Sequence, residues 1–563
     1  MKKVIIALQK TGQAGDEMKL SCGNILNLKR GEIKVFYGEI TLDHDDTIRA
    51  WITCPGKAEC LSNEGQNYLG EWFDKLDKCA KANVPKRLWF YVKAPDAAGK
   101  YNGTIKVTNT ARKVFSDLTI VLNVSEEVFD GDSFANQKNL NRLFWLNSKL
   151  AQNSDVPKPF VPLTYENNTV KFLGREIELD ELGLPKKITS FFDEKIAISE
   201  KRYEILSDKI KFTVAGESFK TISSGAVCEE DTLSFSSVSE SASFMMKIRA
   251  KIEFDGFCDY SILLIAKRGT KLSDVNLCLP ISEYSSKYFM GLGHEGGKFE
   301  APLNFKWSAD KHQDSFWVGN VNAGIRVKFK GENYKKPLTD TFYKYKPLVM
   351  PKSWDNSGFG GIRYEDGKFI VYSGERNLNY GEKLEFNFNL SVTPIKPLAD
   401  KFKGSCGLYE YSLCAFPKTA PEFEALCDFD TELIELHNGV AVCNGESRIC
   451  NYFTEDVNRL ADNSEFGGIV LHGAEIDRNT MKRLRKVLDK REGARIELAL
   501  DNQYNMERGF ANTFCTYAEL LPYVDKLLIK DEAEKTYEYR LLELSGIPFG
   551  IANEEFRDFS YTK

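Results

Sequence analysis

No apolar run in this 563-residue chain approaches the roughly 20 residues that a membrane-spanning helix needs. A basic excess is missing too. Lys and Arg together number 76 against 81 Asp and Glu, for a net charge of −5, with both signs mixed along the chain. Nucleic acid is therefore not expected as the main partner, since that needs a basic face. The 13 cysteines form no CxxC pairs. Cys54 and Cys60 lie six apart, Cys443 and Cys450 seven apart, and neither spacing has a matching partner, so no metal site is expected. The odd count and scatter suggest reduced thiols. Tryptophan is scarce and one-sided: all seven lie at or before Trp354. The apolar start Val4–Leu8 stops at Gln9, too short for a signal h-region and without a small-residue cleavage site. It reads as a strand, and a cytoplasmic location is the expectation.

One glycine pattern has to be set aside. Gly291-Leu-Gly-His-Glu-Gly296 fits GxGxxG, but a dinucleotide loop should open a helix. Pro302 and the alternation Leu303, Phe305, Trp307 follow instead, which is strand-like. The pattern reads as a glycine turn, and no cofactor is expected.

What is present is mostly β. Residues 1–128 read as a small β-sandwich, with period-two alternation in Thr104–Thr108 and Leu118–Val124. One helix is expected there, from the spacing of Leu69, Phe73, Leu76 and Ala80. Residues 129–400 carry many strand-like runs, among them Met246–Phe254, Tyr260–Ile265, Ile325–Lys330 and Leu384–Leu390, which imply large packed sheets. At Pro394-Ile-Lys-Pro397 the texture changes. Residues 401–563 alternate strand and helix. Strands are expected at 432–437, 467–472, 495–500, 524–530 and 547–551, with helices near 450–461, 479–490, 514–522 and 536–544. The fold class is thus multidomain β plus α/β. The last segment is too short for a complete eight-stranded barrel, which typically takes about 250 residues.

Particular phrases point further. They are Asn141–Ser148, Leu173-Gly-Arg-Glu-Ile177, Gly183-Leu-Pro185, Met290–Gly297, Lys311–Ser315 with Trp317–Gly324, Lys346–Pro351 with Ser353-Trp354, and Thr393–Pro397. In this order they resemble glycoside hydrolase family 123-like proteins over most of the chain's middle. The C-terminal runs Phe466–Arg478 and Leu544–Gly550 resemble the barrel of the same family. The resemblance implies a β-sandwich, then a galactose-mutarotase-like β-supersandwich, then a catalytic (β/α) barrel, here incomplete. It also implies a carbohydrate ligand. Thr431–Asn438 looks like the first barrel strand, ending in His437. Where relatives end the strand matching Gly467–Leu471 in an acidic residue or pair, this chain has His472-Gly473.

The resemblance further implies an adjacent Asp–Glu pair as catalytic machinery. The Asp orients the substrate's 2-acetamido group as nucleophile and the Glu is the acid/base. Asp531-Glu532 is such a pair, at the end of the expected strand 524–530, where barrel enzymes keep their chemistry. It also fits an ordinary solvated charge run, with Glu534 and Lys535 following. Glu475 lies just past another strand end. Asp477 or Asn479 is read as a helix cap. His472 and His437 are candidate substrate contacts or plain strand-end residues. His294 and Trp307 are a candidate wall beside the barrel, and His312-Gln-Asp314 a candidate junction.

Three readings stand at this stage. One is a carbohydrate-active protein with reduced or lost hydrolase activity. Another is an active intracellular N-acetylhexosaminidase-like hydrolase using Asp531 and Glu532. The last is a non-catalytic scaffold or carbohydrate-binding protein, self-associating through the open edges of an incomplete barrel.

Overall fold

The computed structural model describes residues 18–60, 63–66, 72–75, 78–129, 148–292, 294–307, 314–330, 352–398, 408–411, 434–437, 440–443, 449–462, 467–472, 478–500, 518–529 and 551–553. The chain divides into two compact units. One comprises Met1–Leu150 with Leu413–Asn463, the other Ala151–Ser412 with Ser464–Lys563.

In the first unit, period-two alternation builds two sheets. Lys19–Leu20, Ile33–Ile40, Lys86–Lys93 and Lys57–Cys60 make one. Ile25–Arg30, Val114–Val128, Gly99–Asn109, Asp46–Thr53 and Lys78–Ala80 make the other. Their inward residues, including Leu26, Phe36, Ile48, Phe90, Ile105 and Leu122, form one core. The expected helix around Leu69–Ala80 is not there. Trp72–Lys75 pairs with Asn63–Gln66, and Lys78–Ala80 pairs with Asp46–Ile48, both antiparallel. A ready ladder partner has overridden a short helical spacing.

A second correction concerns Thr431–Asn438. Ile434–His437 pairs antiparallel with Val440–Cys443. It is the first arm of a hairpin and not the first strand of a parallel barrel.

The second unit opens with a five-stranded antiparallel meander from Thr164–Glu166 to Ile198–Glu204. A second five-stranded sheet joins Lys211–Val214, Val275–Pro280, Lys368–Tyr372, Gly361–Glu365 and Leu303–Phe305. The largest sheet has nine strands, in the order Lys220–Cys228, Thr232–Glu240, Phe244–Glu253, Phe257–Ala266, Lys383–Thr393, Ala323–Lys330, Ser315–Asn320, Tyr288–Gly291 and His294–Lys298. Gly291 pairs with His294, so the GxGxxG stretch is a hairpin turn.

The two faces of this nine-stranded sheet differ. Tyr260, Phe388 and Phe329 share one register row on one face, and Tyr260 and Phe388 stack with centroids 4.9 Å apart. Alternate positions on the other face carry Asp259, Asn389 and Lys328 in one row, and Asn387 and Lys330 in the next. Both sets are buried.

The last layer is a parallel sheet, in the order Leu408–Tyr411, Gly468–His472, Arg495–Leu500, Lys526–Ile529 and Ile551–Asn553. Five parallel strands are described, as counted from sequence, but Leu408–Tyr411 stands where 432–437 was expected. Gly468, with φ +137°, opens its strand against Arg495; a Cβ there would lie 2.1 Å from the Arg495 carbonyl oxygen. The helix Arg478–Leu488 buries Met481, Leu484, Val487 and Leu488, the stripe its spacing predicts. Asn479 is already inside this helix, so it is not the cap. The segment expected as a helix near 514–522 is, where described, a turn followed by the 3₁₀ helix Leu521–Tyr523.

Candidate functional site

Parallel strands end together, and the C-terminal edge of a parallel sheet is where backbone and loop groups can converge on a ligand. Here that edge is formed by Tyr411, His472, Leu500, Ile529 and Asn553, the last residues of their strands. His472 pairs with Ala499, and Leu500 pairs with Ile529. Two strand spacings of roughly 4.8 Å therefore separate the line of His472 from that of Ile529. Glu475 follows His472 by three positions in sequence; Asp531 and Glu532 follow Ile529 by two and three. These three carboxylates lie outside the described residues, as do Asp477 and His312. The side chains of His472 and His437 are likewise not described, although their strands are.

The other two candidates are placed elsewhere. His294 is exposed on the terminal strand His294–Lys298, its ring edge-on to Phe289 at 5.5 Å. Trp307 packs edge-on to Phe329, with centroids 5.4 Å apart. Phe329 belongs to the apolar face of the nine-stranded sheet, the face opposite Lys328 and Lys330. Among the described residues, no contact joins either side chain to the strand ends.

What covers the polar face is the parallel layer, and the joint is ionic. Arg478 donates to Glu253 Oε2 and to Asp255 Oδ2, both at 2.6 Å. Lys482 donates to Glu253 Oε2 at 2.6 Å, and the Tyr523 hydroxyl to Asp255 Oδ2 at 3.1 Å. The Arg478 guanidinium also lies 4.3 Å over the Phe257 ring. Burial works against ionisation of Glu253, but the positive charges of Arg478, Lys482 and Lys251 outweigh it and hold the carboxyl well below its usual range.

A second knot lies on neighbouring strands. Arg326 donates to Glu519 Oε1 at 3.2 Å and to Asn389 Oδ1 at 3.0 Å. Lys328 stands 3.7 Å from Asp314 and 3.8 Å from Glu519. Lys330 pairs with Asp259. Burial raises Asp259 to about 6 in spite of that lysine. Burial likewise raises Asp314, with Lys328 and Arg326 opposing.

A third joint is Lys396, which donates to the carbonyls of Pro522 and Val524, both at 2.8 Å. It closes the 3₁₀ turn Leu521–Tyr523 against the sheet. Burial lowers its ammonium to about 8. Arg485 completes this corner, reaching Asp525 Oδ2 at 2.7 Å and Asp489 Oδ1 at 2.9 Å.

These groups are buried and committed to one another, so they form a joint between the two layers. Sequence reading missed it because alternating charges on a strand normally mean a solvated face. Only the sequence-distant helix and turn that cover the sheet make them interior.

Several phrases singled out in the sequence supply buried polar joints of the same kind. Arg175 is fully buried and donates to the carbonyls of Leu173, Asp255, Val392 and Ile395. The Trp354 indole donates to the Asn387 carbonyl at 3.0 Å, and the Trp317 indole to Thr393 Oγ1 at 2.9 Å. Gly319 and Gly324 make the room for Trp317: a Cβ on either would come within 2.7 Å of its ring.

Among the described residues, no group of three or more His, Cys, Asp or Glu is placed to hold a metal ion. No helix among them is long and apolar enough to cross a membrane.

Comparison with known proteins fits this architecture. The profile "Glycoside hydrolase 123, third domain" matches residues 163–394, and "Glycoside hydrolase 123, TIM-barrel domain" matches residues 430–561. No curated protein matches. Among solved structures, a family 123 glycoside hydrolase from Clostridium perfringens, described for glycolipid glycan hydrolysis, is 18% identical with a TM-score of 0.15. That match takes in 19% of this chain and only 23% of that one. Galactose 1-epimerase from Lactobacillus acidophilus NCFM is 7% identical over 42% of this chain and 99% of its own, with a TM-score of 0.23. A β-arabinopyranosidase is 7% identical over 66% of this chain and 62% of its own, with a TM-score of 0.19. These structural likenesses are faint, and the assignment rests on the two domain matches, which together take in well over half of the sequence. The chain is a glycoside hydrolase family 123-like protein.

Proposed function

We propose that this chain is a carbohydrate-active protein whose hydrolase activity is reduced or lost. The observation that carries the reading is His472, the last residue of the strand Gly468–His472, standing at the C-terminal edge of the parallel sheet. The family resemblance calls for a carboxylate there. Imidazole can carry a proton near neutral pH. It cannot supply the fixed negative charge that an oxocarbenium-like transition state draws on. Losing one essential carboxylate removes several kcal/mol of transition-state stabilisation, on the order of a thousandfold or more in rate.

The ligand is a carbohydrate, held at the edge formed by His472 and its neighbouring strand ends, with Glu475 as a further candidate contact. Titration calorimetry with a panel of N-acetylhexosamine-containing oligosaccharides tests this. Binding of at least one member, weakened at least tenfold by His472→Ala, is the expected result. A folded protein that binds none of them contradicts the carbohydrate reading.

A second reading has one observation in its favour. The strand Lys526–Ile529 ends two residues before Asp531-Glu532, at the same edge of the sheet. In this reading the pair is a rebuilt acid pair of an N-acetylhexosaminidase-like enzyme, Asp531 orienting the 2-acetamido group and Glu532 acting as acid/base. Turnover that falls with Glu532→Gln is its signature.

A further inference from the structure

The nine-stranded sheet has two outer edges, and they are built differently. One, His294–Lys298, reads His-Glu-Gly-Gly-Lys, with charges and glycines that discourage strand pairing. The other is Lys220–Cys228, reading Lys-Thr-Ile-Ser-Ser-Gly-Ala-Val-Cys. Among the described residues it is paired on one side only, with Thr232–Glu240. From Thr221 to Cys228 it has no charge and no proline. A bulge at Ile222 interrupts its register, and Ser223–Cys228 is then regular. None of its nine residues is buried; Ile222 is 59% and Val227 65% exposed. A Cβ added at Gly225 would meet nothing within 4 Å. Such an edge presents a row of unpaired backbone donors and acceptors, a template for one more strand.

The charges flanking the run indicate what that strand is. Lys220 stands at its start, and Glu229 and Glu230 follow its end. A copy of the same strand laid antiparallel about a two-fold axis through Gly225 sets Lys220 of each chain opposite the Glu229–Glu230 pair of the other. The uncharged centres meet each other. A parallel copy would instead put like charges together. The segment is thus self-complementary in one orientation, which is the requirement for an isologous two-fold contact.

We propose that two copies of this protein associate through antiparallel pairing of Lys220–Cys228, joining their nine-stranded sheets into one continuous sheet across a two-fold axis at Gly225.

Sedimentation equilibrium at tens of micromolar protein tests the proposal with wild type, Gly225→Glu, Gly225→Lys and an equimolar mixture of the two variants. Wild type is expected as a dimer. Each variant alone places like charges at the axis and should be monomeric, while the mixture should recover the dimer. Both substitutions extend into open space, so circular dichroism should match wild type. A separate check needs no charge: Gly225→Cys combined with Cys228→Ser should form an interchain disulfide under mild oxidation, and Cys228→Ser alone should not. A wild type that stays monomeric overturns the proposal. So does a dimer that persists equally in both charged variants, or a failure of Gly225→Cys to crosslink.

Discussion

Arg478 and Glu253 meet at 2.6 Å, joining the first turn of a helix in the parallel layer to the nine-stranded sheet beneath it. Both are buried, and Glu253 also receives Lys482. A buried pair of this kind adds little net stability over a well-packed apolar pair, but breaking it strands a charge.

Glu253→Gln is therefore expected to destabilise the second unit by about 3–5 kcal/mol, measured as a shift in denaturant midpoint. Combining it with Arg478→Met should cost less than the sum of the two single changes, because either change alone already breaks the ion pair the two residues share. Additive costs in the double-mutant cycle would mean the two residues do not act as a unit.

Acid titration should single out Asp259. Its folded value is raised to about 6, above the roughly 3.9 of an unfolded aspartate, by burial that Lys330 only partly offsets. The folded state binds this proton more tightly than the unfolded state. Its contribution is thus fully present below the unfolded value and is lost as pH rises through about 6. The stability difference between Asp259→Asn and wild type should change across that window and be flat outside it. A difference constant from about pH 4 to 7 would remove the assignment.

Lys396 should govern the alkaline side. Burial depresses it to about 8, below the roughly 10.4 of an unfolded lysine, so the unfolded state binds more protons between those values. Stability contributed by this group rises as pH climbs through that window and is lost as pH falls through about 8. Lys396→Met should abolish the rise. At neutral pH it should also cost about 1–3 kcal/mol, because the carbonyls of Pro522 and Val524 lose their donor.

Gly468→Ala tests the start of the strand that ends in His472. The new Cβ would meet the Arg495 carbonyl oxygen at 2.1 Å, with φ in a region that side chains avoid. A loss of about 1–3 kcal/mol or more is expected, read by thermal unfolding. Full retention of stability would mean that Gly468 and Arg495 do not pair as closely as described.

Period-two alternation was enough to place Met246–Phe254, Tyr260–Ile265 and Leu384–Leu390 in one large β domain, and helical spacing placed Met481, Leu484, Val487 and Leu488 on one buried stripe. Both are local signals. Pairing partners are not local. Ile434–His437 alternates identically whether its neighbour is parallel or antiparallel. The cue for a hairpin was nonetheless there in Asn438-Gly439, the strongest two-residue hairpin signature. The spacing of Leu69, Phe73, Leu76 and Ala80 failed as a helix because Asn63–Gln66 and Asp46–Ile48 offered ladders. The charged face was legible residue by residue but not as an interior, since Glu253 and Arg478 are far apart in the chain. Of the candidate site, the chain itself places His472 at a parallel strand end; the roles of Asp531, Glu532 and Glu475 still rest on sequence position.

Hydrolysis of aryl N-acetylhexosaminides and plain aryl hexosides, compared between wild type, Asp531→Asn and Glu532→Gln, tests the central claim most directly. The account predicts turnover no higher for wild type than for the two variants. Turnover by wild type that either substitution abolishes would contradict it and establish an active hydrolase using that acid pair.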